Sequence, residues 1–247
     1  MNEEFSPTQN RRDFLKNTAV VAGITVVPGV LLYTGSMAHQ PENAVTSDRR
    51  WGMLIDTTKC TSGCDACVNA CIEEHGLTEE VRAEVKPQWI RKVGLRDKQT
   101  GKEHSLPMMC QHCEKPPCVD VCPTGASFKR ADGIVLVDRH ICIGCRYCMM
   151  SCPYKARSFV HETLENQKPH SPRGKGTVEA CNLCVYRVDK GLNPACVEAC
   201  EKDGQKAMLF GDLNDPNSEI HKRLKEIGST ALRADMRLNP GIRYQGL

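Results

Sequence analysis

Aromatic residues are scarce in this chain of 247 residues, with only 2 Trp, 5 Tyr and 5 Phe. That is too few for an ordinary hydrophobic core, so something else must help to hold the fold. Net charge is also nearly absent: 33 Lys and Arg face 30 Asp and Glu, and an excess of +3 gives no electrostatic case for nucleic acid. A mean hydropathy of −0.42 excludes a polytopic membrane protein. Abundant charge of both signs excludes a typical disordered chain. No G-x-G-x-x-G follows a strand and no G-x-x-x-x-G-K-[ST] occurs, so no nucleotide site is indicated. No nucleophile or acid–base set stands out, so no catalytic residue is assigned. What is abundant is cysteine: 16 residues, a number that calls for disulfides or metal, with the spacing left to decide.

Residues 1–38 resemble a twin-arginine export signal. Arg11-Arg12-Asp13-Phe14-Leu15-Lys16 precedes an uncharged run from Asn17 to Ala38, and Ser36-Met37-Ala38 offers the small residues of a cleavage site. A membrane anchor is the rival reading, weakened by Gly23, Pro28, Gly29 and Gly35 within the run. Cleavage or retention stays open. Export places the protein in the periplasm, by a route that carries proteins already folded, which suits a cofactor inserted in the cytoplasm.

The cysteines sort into four groups of four with none left over. They are Cys60-x3-Cys64-x2-Cys67-x3-Cys71, Cys110-x2-Cys113-x4-Cys118-x3-Cys122, Cys142-x2-Cys145-x2-Cys148-x3-Cys152 and Cys181-x2-Cys184-x11-Cys196-x3-Cys200. The third, with Pro153 behind it, reproduces the bacterial ferredoxin run, in which three thiolates bind one cubane and the fourth reaches its neighbour. Because the fourth cysteine leaves its own loop on a short helix, groups must work in pairs, each holding two clusters close together.

Three rivals fit less well. Structural zinc needs two C-x2-C hairpins per site rather than runs of four. Periplasmic disulfides explain cysteines two residues apart poorly. Cys60-x3-Cys64-x2-Cys67 matches the triad of radical S-adenosylmethionine enzymes, but Cys71 continues the run and no length remains for a barrel of about 250 residues.

An internal repeat predicts the pairing. Arg50 to Asp56 leads into Cys60 as Ala131 to Asp138 leads into Cys142, and Gly125 to Lys129 follows Cys122 as Gln205 to Phe210 follows Cys200. The expected fold is α+β: two bacterial-ferredoxin-like modules, one nested in the other, with hairpin and loop insertions and a C-terminal helix plus extended tail. After a linker at 39–50, residues 51–109 form the first half of the outer module with a hairpin turning at Asp97 to Gly101. Residues 110–160 form the inner module. Residues 161–210 add an exposed loop from His161 to Thr177, read equally as docking surface or solvated loop, and the second half of the outer module. In 211–247, Ser218 opens a helix from Glu219 to Ile227 that Gly228 stops, and the tail embraces a module or a partner.

On all sixteen cysteines and the Cys113-Glu114-Lys115-Pro116-Pro117-Cys118 signature, residues from Trp51 onward resemble the electron-transfer subunits of the dimethyl sulfoxide, polysulfide and tetrathionate reductase family. Among these, the export signal, the Cys60-x3-Cys64 opening and the Arg-Tyr tail are most similar to the periplasmic iron–sulfur subunits of the Dsr membrane complexes associated with sulfite reduction. The resemblance implies four 4Fe-4S clusters. Cys60, Cys64, Cys67 and Cys200 would bind the first; Cys181, Cys184, Cys196 and Cys71 the second; Cys110, Cys113, Cys118 and Cys152 the third; Cys142, Cys145, Cys148 and Cys122 the fourth. Prolines follow Cys122 and Cys152, but Ile72 and Glu201 follow Cys71 and Cys200, so the outer pair is expected to be more solvated.

Such a chain would relay single electrons between a quinone-interacting membrane subunit and other redox subunits of a periplasm-facing complex, with neither nucleic acid nor nucleotide as partner. The alternative is the equivalent subunit of a molybdopterin oxidoreductase or a hydrogenase. Loaded with four oxidised clusters of formal charge about −2 each, thiolates included, the chain's +3 becomes roughly −5. His112 is expected to pack or to hydrogen-bond near a cluster rather than to ligate it. Lys115, Arg130, Arg146 and Tyr147 near the cysteine loops are expected at the surface.

Overall fold

The computed structural model describes residues 45–77, 85–165 and 167–247. The twin-arginine motif, its apolar run and most of the linker lie outside the described residues. Among those described, no helix is long and apolar enough to cross a membrane.

The first strand, β1 (Trp51–Asp56), is buried along nearly its whole length. It is the middle strand of three, antiparallel to β8 (Met208–Asp212) and parallel to β9 (Ile242–Gln245). Being covered on both faces, it reads Met53-Leu54-Ile55 without polar alternation. Register runs from Trp51 opposite Asp212 to Ile55 opposite Met208 on one side, and from Met53 opposite Ile242 to Asp56 opposite Gln245 on the other. Glycine is required at position 52, where a Cβ would lie 2.5 Å from the Gly241 carbonyl oxygen. The strand pairs predicted from the repeat are present, and the tail is parallel to β1 rather than merely draped on it.

Behind β1 come α1 (Ala66–His75), which ends in left-handed Gly76, and the hairpin β2 (Arg91–Arg96) and β3 (Glu103–Met108). The hairpin turns where expected: the Asp97 carboxylate accepts the Gln99 and Thr100 backbone N–H groups and Gly101 takes a positive φ. Next follow α2 (Pro117–Asp120), the antiparallel pair β4 (Ser127–Lys129) and β5 (Val135–Val137), and α3 (Tyr147–Ser151), which packs on α2. A short pair, β6 (Ser158–Phe159) with β7 (Val178–Glu179), precedes α4 (Val185–Val188) and α5 (Ala195–Lys202). Helix α5 packs on α1, so both strand and helix from the far end of the chain lie against their counterparts at the start. The last helix, α6 (Glu219–Glu226), is capped by the Ser218 hydroxyl, which accepts the His221 N–H at 3.3 Å. It ends one residue before the predicted limit, because Ile227 is already extended, and Gly228 does not supply the stop.

The loop from 161 to 177 is exposed at most of its described residues, as expected, but not throughout. Ser171 and Arg173 are buried, and Arg173 makes two hydrogen bonds to Glu179 on β7, Nε to Oε2 at 2.9 Å and Nη2 to Oε1 at 3.0 Å. Its Nη1 donates to the Gly76 carbonyl at 3.0 Å, which ties the loop to the end of α1. Polar composition suggests solvent, whereas the charges satisfy each other inside.

Among the described residues, only two Trp, Tyr or Phe side chains, Trp89 and Tyr244, are among the largest fully buried ones. Eleven of the sixteen cysteines are buried in their place.

Candidate metal-cluster sites

All sixteen cysteines are free thiols. In each group the last two stand one helical turn apart: Cys67 and Cys71 on α1, Cys118 on α2 with Cys122 just beyond it, Cys148 on α3 with Cys152 at its end, and Cys196 and Cys200 on α5. A turn rises about 5.4 Å, so one short helix presents two thiols to two different centres.

Mutual repulsion shows which thiols are neighbours. Burial, then Cys60, Cys200 and Cys64, pushes the Cys67 thiol up to about 12. Burial, then Cys181, Cys196 and Cys184, holds Cys71 far above the ordinary thiol value. Cys113 is pushed up to about 12 by burial, then by Cys110, Cys118 and Cys152. Cys148 is raised by burial, with Cys142 and Cys122 adding to it. Cys145, the exposed cysteine, sits in the loop between Cys142 and Cys148. Cys67, Cys71 and Cys113 thus each stand among three further thiols, two groups contributing to each set, and Cys148 stands with Cys142 and Cys122.

Couplings also run between these sets: Cys67 acts on Cys71 and Cys196, Cys110 on Cys181, and Cys148 on Cys118.

A donor set of thiols alone, crowded and buried, fits an iron–sulfur group. Thiols pushed to about 12 by burial and by each other ionise together only around a cationic core. Cys110, Cys113, Cys118 and Cys152 line one small pocket, with Tyr154 and Arg157 in its wall.

Backbone amides are aimed at the outgoing cysteines: Ser127 N–H donates to Cys122 Sγ and Ala207 N–H to Cys200 Sγ, both at 3.3 Å. The repeat predicts this symmetry, since β4 and β8 follow those cysteines in the same manner. Gly144, between Cys142 and Cys145, takes φ +69°, and a Cβ there would collide with the Gly176 carbonyl oxygen.

His112 is buried and turns its bonded nitrogen to the backbone rather than to a thiol. Its Nδ1 accepts the Val135 N–H at 3.0 Å, which assigns the proton to Nε2. Burial, and then Arg157, lowers its pKa to about 3, so the ring is neutral. Lys115, Arg146 and Tyr147 are exposed as expected, Arg146 lying 3.9 Å over the Phe159 ring. Arg130 is half-buried and bridges Asp132 to Asp189 instead.

Two residues at the thiols escaped sequence reasoning. His75 Nε2 lies 3.4 Å from Cys184 Sγ while its Nδ1 meets the Ser171 hydroxyl at 2.9 Å. Burial, followed by the charges of His170, Arg139 and Arg173, lowers its pKa to about 3. The spacing of Cys67, Cys71 and His75 at i, i+4 and i+8 was the available signal. Arg157 donates from Nη2 to Cys118 Sγ at 3.1 Å. No local pattern marks it.

The 4Fe-4S dicluster domain matches this chain twice, over residues 42–126 and 102–213. The chain is 42% identical to the Hdr-like menaquinol oxidoreductase iron-sulfur subunit 1 of Archaeoglobus fulgidus, over 96% of this chain and 98% of that one. It is 37% identical to a tetrathionate reductase subunit of Salmonella typhimurium, over 96% and 88% of the two chains. It is 38% identical to protein NrfC of Escherichia coli K12, over 89% and 87%.

Proposed function

This chain belongs to the 4Fe-4S dicluster family of iron–sulfur electron-transfer subunits, and from that premise we propose that it holds four 4Fe-4S clusters in a line within a membrane-associated, periplasm-facing redox complex. The observation that carries the proposal is that the sixteen cysteines are free and mostly buried, and that Cys200, Cys71, Cys152 and Cys122 each stand beside thiols of another group.

The ligand sets are the four expected from the family pattern, with Cys200, Cys71, Cys152 and Cys122 as the crossing members. When bound, the clusters would supply one-electron carriers. The chain's own part is to bury the thiols, hold their spacing and donate hydrogen bonds to them. Pairing of β1 with β8 and packing of α1 on α5 support the nested plan, in which residues 110–160 sit within an outer module.

A quinone-interacting membrane subunit is the proposed partner at one end and a further redox subunit at the other. The menaquinol oxidoreductase relative supports the first. Within this class we assign the chain to a Dsr-type complex of sulfur metabolism, exported by the twin-arginine route. The likeness to the tetrathionate reductase protein supports a second reading, the same relay role beside a terminal reductase.

The test is purification of the full chain from membranes with its companions, followed by iron and acid-labile sulfide analysis. About 16 iron atoms per chain and a co-purifying integral membrane subunit are expected. Zinc in place of iron, or a solitary chain that turns over a small molecule, would overturn the proposal.

A further inference from the structure

Arg157 lies five residues after Cys152, on the short stretch that turns at Lys155 and enters β6. Lys155 is exposed, whereas Arg157 is only 7% exposed. Its Nη2 donates to Cys118 Sγ at 3.1 Å, and its Nη1 is buried with no protein hydrogen-bond partner. Its field falls on Cys118 and Cys110 of the third quartet and on Cys148 of the fourth. The guanidinium is a permanent charge, so it stands as a fixed cation where two quartets adjoin.

The outer pair is arranged differently. Cys184 in the second quartet is met by the neutral imidazole of His75. Near the first quartet the largely buried Lys92 ammonium donates to the Thr61 and Cys64 carbonyls and lies 3.8 Å from exposed Asp65, so its hydrogen bonds go to backbone and not to a thiol. A buried cation that turns its hydrogen bonds to thiolates stabilises an added electron on its side, because one-electron reduction adds negative charge in a medium that screens poorly. A neutral donor does this less.

Resting on the four-cluster reading, we infer that Arg157 is a positioning residue that raises the reduction potentials of the third and fourth sites and couples one to the other. Arg157 touches a ligand thiol and exchanges no electron of its own.

The experiment uses the full chain with its clusters in place and compares the native protein with Arg157→Met and Arg157→Lys by redox titration followed by electron paramagnetic resonance. Iron analysis accompanies each sample. Expected in Arg157→Met are four retained clusters, two midpoint potentials shifted downward, two unchanged, and an intermediate position in Arg157→Lys. Iron lost from the inner pair in Arg157→Met and restored in Arg157→Lys also supports the inference, since charge alone rescues it. Full iron with unmoved potentials overturns it, as does equal iron loss in both variants, which marks a packing role. A native chain without clusters refutes the four-cluster reading itself, a result separate from any of these.

Discussion

Glu179→Leu is the perturbation with the clearest magnitude. Glu179 is fully buried, and both carboxylate oxygens accept from Arg173 at 2.9 and 3.0 Å. Removing one member of a buried pair strands the other charge and costs about 3–5 kcal/mol, while replacing both by apolar groups is near neutral. Arg173→Met with Glu179→Leu should therefore recover most of the loss, with about 1 kcal/mol outstanding for the Gly76 carbonyl that loses its Nη1 donor. Iron loss makes unfolding irreversible, so the readout is a rate: bleaching of the visible absorbance of the loaded chain in fixed guanidinium, without oxygen. At about 1.36 kcal/mol per decade, about 3 kcal/mol expressed wholly in unfolding accelerates bleaching about 150-fold. A single variant within about threefold of the native rate would refute the reasoning. So would a double variant that bleaches as fast as the single one.

Gly144→Ala meets both a positive φ and the Gly176 carbonyl oxygen, so it should lower stability by about 2 kcal/mol and cut iron content by about a quarter, read by iron analysis; full occupancy would argue against a tight fourth site. Acid should destabilise the fold through His75 and His112. Their folded pKa values near 3 lie below the unfolded value near 6.5, so the unfolded chain binds protons that the native one does not. Stability contributed above about pH 6.5 is lost as pH falls toward 3, by about 1.4 kcal/mol per unit for each ring. Unfolding rates measured from pH 7 to 5 should rise accordingly and flatten in the doubly substituted His75→Gln, His112→Gln chain.

Much of the site was legible because ligand spacing is local. Four cysteines within 11 to 20 residues announce a loop and a helical turn, and the runs at 51–56, 127–129, 135–137 and 208–210 carried their own turn and strand signals. The Asp97 to Gly101 turn was readable for the same reason. What stayed hidden depends on residues far apart in sequence. Arg173 looked solvated because Glu179 alone does not reveal that the loop folds over Gly76. Arg157 carries no local signal beside exposed Lys155, and only the tertiary fold brings Cys118 within 3.1 Å of it. The parallel register of β9 on β1 likewise follows from a close approach of Gly52 and Gly241 that neither glycine announces by itself.

That parallel pairing ties the order of synthesis to the finished architecture. Strand β1 emerges before Cys60 and β9 after Cys200, and Ile242 and Tyr244 are buried beside Met53 and Ile55 only when the two meet. Tyr244 also reaches inward, its hydroxyl donating to the Pro107 carbonyl at 3.1 Å and accepting from the Gln111 side chain. A ribosome must therefore have delivered every one of the sixteen thiols before this latch can shut. Until the sheet closes, one edge of its first strand stays bare, with the unpaired backbone groups that favour adhesion to other chains.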